Sequence, residues 1–103
     1  MSIRRLDEER GTLRLILTLA YNQVPLTRLE YMNGADEVGV GRTAFYSGIR
    51  TLMELGLVEE TYETREGKRV ILSGLTKDGW AVAKLLREID EMLGGARAIT
   101  PPA

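Results

Sequence analysis

Residues 38–58 read VGVGRTAFYSGIRTLMELGLV, an order of glycines, apolar residues and polar residues that specifies a helix with two chemically distinct faces. Gly39-Val40 stands at one end and Gly56-Leu57-Val58 at the other. Between them Phe45, Ile49 and Leu52 recur at spacings of four and three, so a helix places them on one face. Thr43, Tyr46, Ser47 and Arg50 then share the opposite face. The spacing predicts a helix from about Arg42 or Thr43 to Leu55, stopped by Gly56. One side belongs in a core and the other is free for a partner. Gly48 costs about 1 kcal/mol of helix propensity against alanine, which is tolerable where a neighbouring helix crosses closely.

Upstream, Leu6, Leu13, Ile16, Leu17 and Ala20 predict a first helix from about Asp7 to Tyr21. Asp7, Glu8 and Glu9 suit the positive end of its dipole. Gly11 weakens its first turns, so order is expected to begin nearer Thr12. Leu15 and Leu19 lie on a second side of this helix, making it apolar nearly all round and pointing to a partner that covers them. After a break at Pro25, Thr27-Arg28-Leu29-Glu30 fits a capping box. It opens a second helix from Arg28 to Asn33, extending at most to Glu37, with Asn33-Gly34 a candidate left-handed end.

Downstream, residues 58–64 and 69–73 are β-prone and flank Arg65-Glu66-Gly67-Lys68, a hairpin turn with glycine at the tip. Leu75-Thr76-Lys77-Asp78-Gly79 opens a last helix with Thr76 as N-cap, running to about Leu93 and ending at Gly94-Gly95. The tail ARAITPPA, residues 96–103, is expected to fray. The order is α-α-α-β-β-α: a mainly α domain with a small β-hairpin, spanning residues 1–95.

Composition narrows the function. A chain of 103 residues supports one small domain. It has no cysteine and no histidine, which excludes disulfides, thiolate metal sites and the usual general base. An enzyme is therefore not expected, nor a cofactor or metal. The only adjacent acid pairs outside the N-terminus and wing, Asp36-Glu37 and Asp90-Glu91, diverge on a helix and cannot converge on a substrate. The Leu-rich N-terminal stretch is interrupted by Arg14 and preceded by acids, so neither a signal peptide nor a membrane helix is expected and the protein is placed in the cytoplasm.

At this point the stretch from 38 to 58 resembles the winged helix-turn-helix regulators of MarR and PadR type. Gly39-Val40 matches their turn before the recognition helix, and Phe45, Ile49 and Leu52 match its inner face. Gly56-Leu57-Val58 matches the exit into the wing, while Leu75, Thr76 and Gly79 match the "Leu-Thr-x-x-Gly" that opens the next helix. The resemblance covers about residues 7 to 93. It implies a helix in the major groove of double-stranded DNA, with Thr43, Tyr46 and Ser47 at base edges and Arg42 and Arg50 on phosphates. It further implies wing contacts by Arg65, Lys68 and Arg69. Ser47 departs from the pattern, since the family often has a basic residue there, and Asp36 and Glu37 would repel phosphate if they face DNA.

Charge gives this reading a competitor. The net charge is −1, and three basic wing residues sit among Glu59, Glu60, Glu63 and Glu66, where cross-strand ion pairs are an alternative use for them. Tyr46 on an outer helix face would also suit a protein contact. The two readings are a homodimeric DNA-binding transcriptional regulator and a winged-helix protein-interaction module of a larger assembly. Self-association is expected through Val82, Leu86, Ile89 and Leu93, a four-three-four seam of two heptads, assisted by Leu15 and Leu19. The alternative is that the last helix folds back on its own core, burying Trp80, Ala83 and Leu85 as well. No effector ligand is legible in the residues.

Overall fold

The computed structural model describes residues 2–8 and 10–94. The expected frayed tail, residues 96–103, lies outside them. The elements are α1 (Ser2–Glu8), α2 (Thr12–Asn22), β1 (Leu26–Thr27), α3 (Arg28–Glu37), α4 (Arg42–Glu54), β2 (Val58–Arg65), β3 (Lys68–Leu75) and α5 (Lys77–Met92). The expected α-α-α-β-β-α order is present with two additions. The first helix is two helices, broken where Gly11 adopts φ +85°. A Cβ at Gly11 would also lie 2.9 Å from Val40 Cγ2, so this corner is both left-handed and crowded. The Thr12 hydroxyl closes it by donating to the Leu6 carbonyl at 2.8 Å. The second addition is the two-residue β1, which pairs antiparallel with β3 and gives a three-stranded sheet in the order β1-β3-β2.

Helix α2 lies at the centre, touching α1, α3, α4, α5 and β3. That position corrects one expectation: Leu15 and Leu19 are fully buried in the chain's own core and are not left for a partner. Neighbours within the chain cover the second apolar side of this helix. Tyr31 is also fully buried, its hydroxyl donating to the Leu15 carbonyl at 2.9 Å and its ring meeting Phe45 edge-on at 5.1 Å. Burial holds its phenol above the ordinary range, because the interior disfavours the phenolate.

The helix ends follow from local chemistry. Thr27 and Glu30 form the expected capping box, and the bond from the Thr27 amide holds the Glu30 carboxyl below its ordinary value. Helix α3 does not end at Asn33-Gly34. Gly34 is helical, and a Cβ there would stand 3.0 Å from Thr18 Cγ2, so this glycine serves packing against α2. The stop is Gly39, at φ +83°, where the Gly39 amide bonds to the Asp36 carbonyl and the Val40 amide to that of Ala35. Gly56 repeats the device after α4, with the Gly56 amide on the Met53 carbonyl and the Leu57 amide on that of Leu52.

Candidate nucleic-acid interface

Helix α4 has the two faces its sequence predicts. Phe45, Gly48, Ile49 and Leu52 are buried, whereas Arg42, Thr43, Tyr46, Ser47 and Arg50 are exposed. Gly48 marks the crossing with α2: a Cβ there would stand 2.6 Å from Leu15 Cδ1. The N-cap of α4 is Gly41, which has no side chain to bond the first amides, and Arg42 follows it. Free amides, the helix dipole and a guanidinium thus gather at one end, an arrangement that suits a phosphate. Among the described residues neither Arg42 nor Arg50 is held in an ion pair. Asp36 and Glu37 are exposed at the end of α3.

The wing is a two-residue hairpin whose central residues, Glu66 (φ +52°) and Gly67 (φ +76°), are both left-handed, as its tight primed turn requires. Its register sets Arg65 opposite Lys68 and Arg69 opposite Thr64, so no direct cross-strand partner of these cations is acidic. The acid contact at the tip is within β2, Arg65 to Glu63 at 3.5 Å. Like charges directly opposite repel, and an anion would relieve them.

Side chains alternate along a strand and opposed pairs share a face. Glu60, Tyr62 and Thr64 therefore lie on one wing face with Arg69, and Arg65 and Lys68 lie on the other. The Arg69 guanidinium covers the Tyr62 ring at 4.3 Å. Glu60 is ion-paired to Arg28 at the start of α3, and the Arg28 guanidinium stands 5.8 Å from the Tyr46 ring centroid. The face bearing Arg69 is thereby joined through Glu60 and Arg28 to the outer side of α4. Arg28 was not visible as a site residue in the sequence, where it reads as the second member of a capping box.

The Gly56-Leu57-Val58 exit and the Leu75-Thr76-x-x-Gly79 opening form one joint. The Thr76 hydroxyl donates to the Gly56 carbonyl at 2.6 Å, the Thr76 amide donates to that of Leu57 at 3.1 Å, and the Gly79 amide donates to Thr76 Oγ1 at 2.9 Å. The joint fixes the base of the wing against α5.

On α5, Ala83 is buried and Val82 and Leu86 are half-buried on the chain's own core. Ile89 and Leu93 are 51% and 81% exposed, and so are Leu85 and Met92 at 60% and 83%. Trp80 is also partly exposed, so the helix does not bury the Trp80 and Leu85 side. Tyr21 of α2 donates to Asp90 at 3.0 Å, and its phenol is raised by burial and by that carboxylate. No helix among the described residues is long and apolar enough to cross a membrane. A cleft of about 120 Å³ bordered by Val24, Pro25, Glu59 and Trp80 is small beside the ~300–1,000 Å³ usual for ligand pockets.

No family model matches the sequence, and no curated protein is significantly similar to it. Solved structures do resemble the fold. A PadR family transcriptional regulator from Eggerthella lenta DSM 2243 aligns over 86% of this chain and 74% of its own, with 25% identity and a TM-score of 0.54. A mutant of MepR from a multidrug-resistant S. aureus clinical isolate aligns over 96% of this chain and 72% of its own, with 18% identity and a TM-score of 0.61. The second likeness speaks to fold alone. Helix order, wing and structural neighbours agree: the chain has a winged helix-turn-helix fold, shared with MepR and similar to that of a PadR family transcriptional regulator.

Proposed function

We propose that the protein is a DNA-binding transcriptional regulator that acts as a homodimer and lays α4 in the major groove. The observation that carries this reading is the two-sided α4. Its inner residues are locked in the core, while Arg42, Thr43, Tyr46, Ser47 and Arg50 stand exposed at groove-reading spacing. Thr43, Tyr46 and Ser47 are assigned to base edges, and Arg42 and Arg50 to phosphates on either side. Arg69 extends the surface onto the wing, with Arg65 and Lys68 at the tip. Similarity to a PadR family transcriptional regulator supports the assignment.

The dimer surface we assign is the exposed side of α5, Leu85, Ile89, Met92 and Leu93, replacing the buried Leu15 and Leu19. Val82 and Leu86 border it. Large apolar side chains at helical spacing on one exposed face favour association, and a twofold arrangement is the commonest. It would set two copies of α4 in successive grooves, about 34 Å apart.

A second reading, a winged-helix module that holds another protein, is favoured by the net charge of −1 and by exposed Tyr46. Binding to a mixed duplex pool across a salt series separates the two. A regulator binds at low salt and weakens steeply as salt rises, in proportion to phosphates neutralised. Absence of binding at low salt, or binding indifferent to salt, rejects it.

A further inference from the structure

We infer that Arg28 is a positioning residue for base recognition, tying the wing to α4 so that Tyr46 meets DNA at a fixed angle; this rests on the DNA reading above. The Arg28 guanidinium is ion-paired with Glu60 of β2 and lies 5.8 Å from the Tyr46 centroid. Phe45 meets the same tyrosine ring edge-on at 5.4 Å. Tyr46 is therefore flanked by a core ring and by a cation that the wing holds. A side chain ordered before binding loses less entropy on binding, and a guanidinium within about 6 Å of a ring is attracted to it.

Charge separates this role from phosphate binding. Glu60 neutralises Arg28, so the pair adds no net charge to attract DNA. Both partners are partly desolvated, at 39% and 20% exposure, which strengthens the pair relative to an open-surface one. The local hydrogen bonding is incomplete. Arg28 Nε is buried without a protein partner, and so is the hydroxyl of Ser73. Ser73 lies between Leu26 and Glu60 in the sheet, on the face that carries Glu60. A buried donor without a protein partner costs stability unless water reaches it, which offsets part of what the ion pair contributes. The link joins α3, α4 and β2, bridging 32 residues of sequence between Arg28 and Glu60.

The test uses the full chain, sites selected from a random duplex pool by the wild type, and scrambled duplexes of the same length. Affinities are read by fluorescence anisotropy across a salt series, at a temperature where circular dichroism shows each variant folded. Arg28→Ala and Glu60→Gln should each lower the preference for the selected site by about tenfold, the scale of one lost base-edge contact. Affinity for scrambled duplex should fall in Arg28→Ala, which leaves Glu60 uncompensated, and rise in Glu60→Gln, which frees the Arg28 charge. The charge-neutral double variant should keep the wild-type value and salt slope. The double variant should be no worse than Arg28→Ala alone, since both cut one link. Arg28→Lys should not rescue, because an ammonium lacks the planar fork and stacking face. Unchanged preference in folded Arg28→Ala and Glu60→Gln overturns the inference. So does a parallel loss on both duplexes with a shallower salt slope in the charge-neutral double variant, the signature of a phosphate contact by Arg28. If Arg28→Ala does not fold, Glu60→Gln decides alone. If the wild type enriches no sequence, the DNA reading itself fails and the inference with it.

Discussion

Gly79 lies so close to Leu57 that a Cβ on it would stand 2.0 Å from the Leu57 carbonyl oxygen. No side chain fits without moving the base of the wing away from α5. The obstacle is backbone, and that oxygen already accepts from the Thr76 amide. Gly79→Ala should therefore cost on the order of 3 kcal/mol, in the upper range of overpacking. Gly48→Ala is a useful contrast. Its clash is with a methyl of buried Leu15 rather than with backbone. Alanine also returns about 1 kcal/mol of helix propensity against the overpacking, so its net cost should be the smaller of the two. Urea denaturation of both variants checks the order.

Tyr31→Phe should cost about 1 kcal/mol near neutrality, the usual net worth of one hydrogen bond. It should also change the alkaline limb. The Tyr31 phenol is raised on folding, so the unfolded chain loses its proton first. Its stabilising effect is complete below the unfolded value of 10.0 and falls as pH rises past it. Stability measured from pH 8 to 11 should decline less steeply in the variant than in the wild type.

The acid limb reports the α3 cap. Glu30 is lowered in the folded state, chiefly by the Thr27 backbone amide. Its contribution is present above the unfolded value of 4.5 and is lost as pH falls through the lower folded one. Glu30→Gln should flatten stability between about pH 5 and 3. An unaltered acid profile would show that the box makes no pH-linked contribution.

Ile89→Asp should give a folded monomer in sedimentation velocity, because it places a charge on the proposed dimer face without touching the core. Leu15→Ala should instead cost roughly 2–5 kcal/mol of stability, the range for a buried leucine. A dimer that survives Ile89→Asp would move the self-association surface elsewhere.

On the wing, Arg69→Ala should weaken duplex binding more than Lys68→Ala. Arg69 lies on the face joined to α4, and Lys68 on the reverse. Each phosphate contact removed lowers the salt slope by about one, so the two slopes rank the contacts directly. Equal slopes would show that the tip is used from both faces.

The fold was legible wherever one short segment carried its own signal. The faces of α4, the Thr27–Glu30 box, the Thr76 cap and the Gly67 turn each rest on residues within a few positions of one another. Features requiring distant partners were not legible. Gly34 looked like a helix stop because nothing nearby announces Thr18 beside it. Leu15 and Leu19 looked available because the sequence does not show how many elements surround α2. β1 has two residues and no alternation to read. Arg28 depends on Glu60 and Tyr46, neither adjacent in sequence, so its local capping context concealed it.

If the outer side of α4 is the surface that meets DNA, an amide NMR titration of the isotope-labelled chain with duplex at low salt will map to it. Shifts should concentrate at Arg42, Thr43, Tyr46, Ser47 and Arg50 and extend to Arg69, with the exposed side of α5 unaffected. Shifts confined to α5, or none at any duplex concentration, would contradict it.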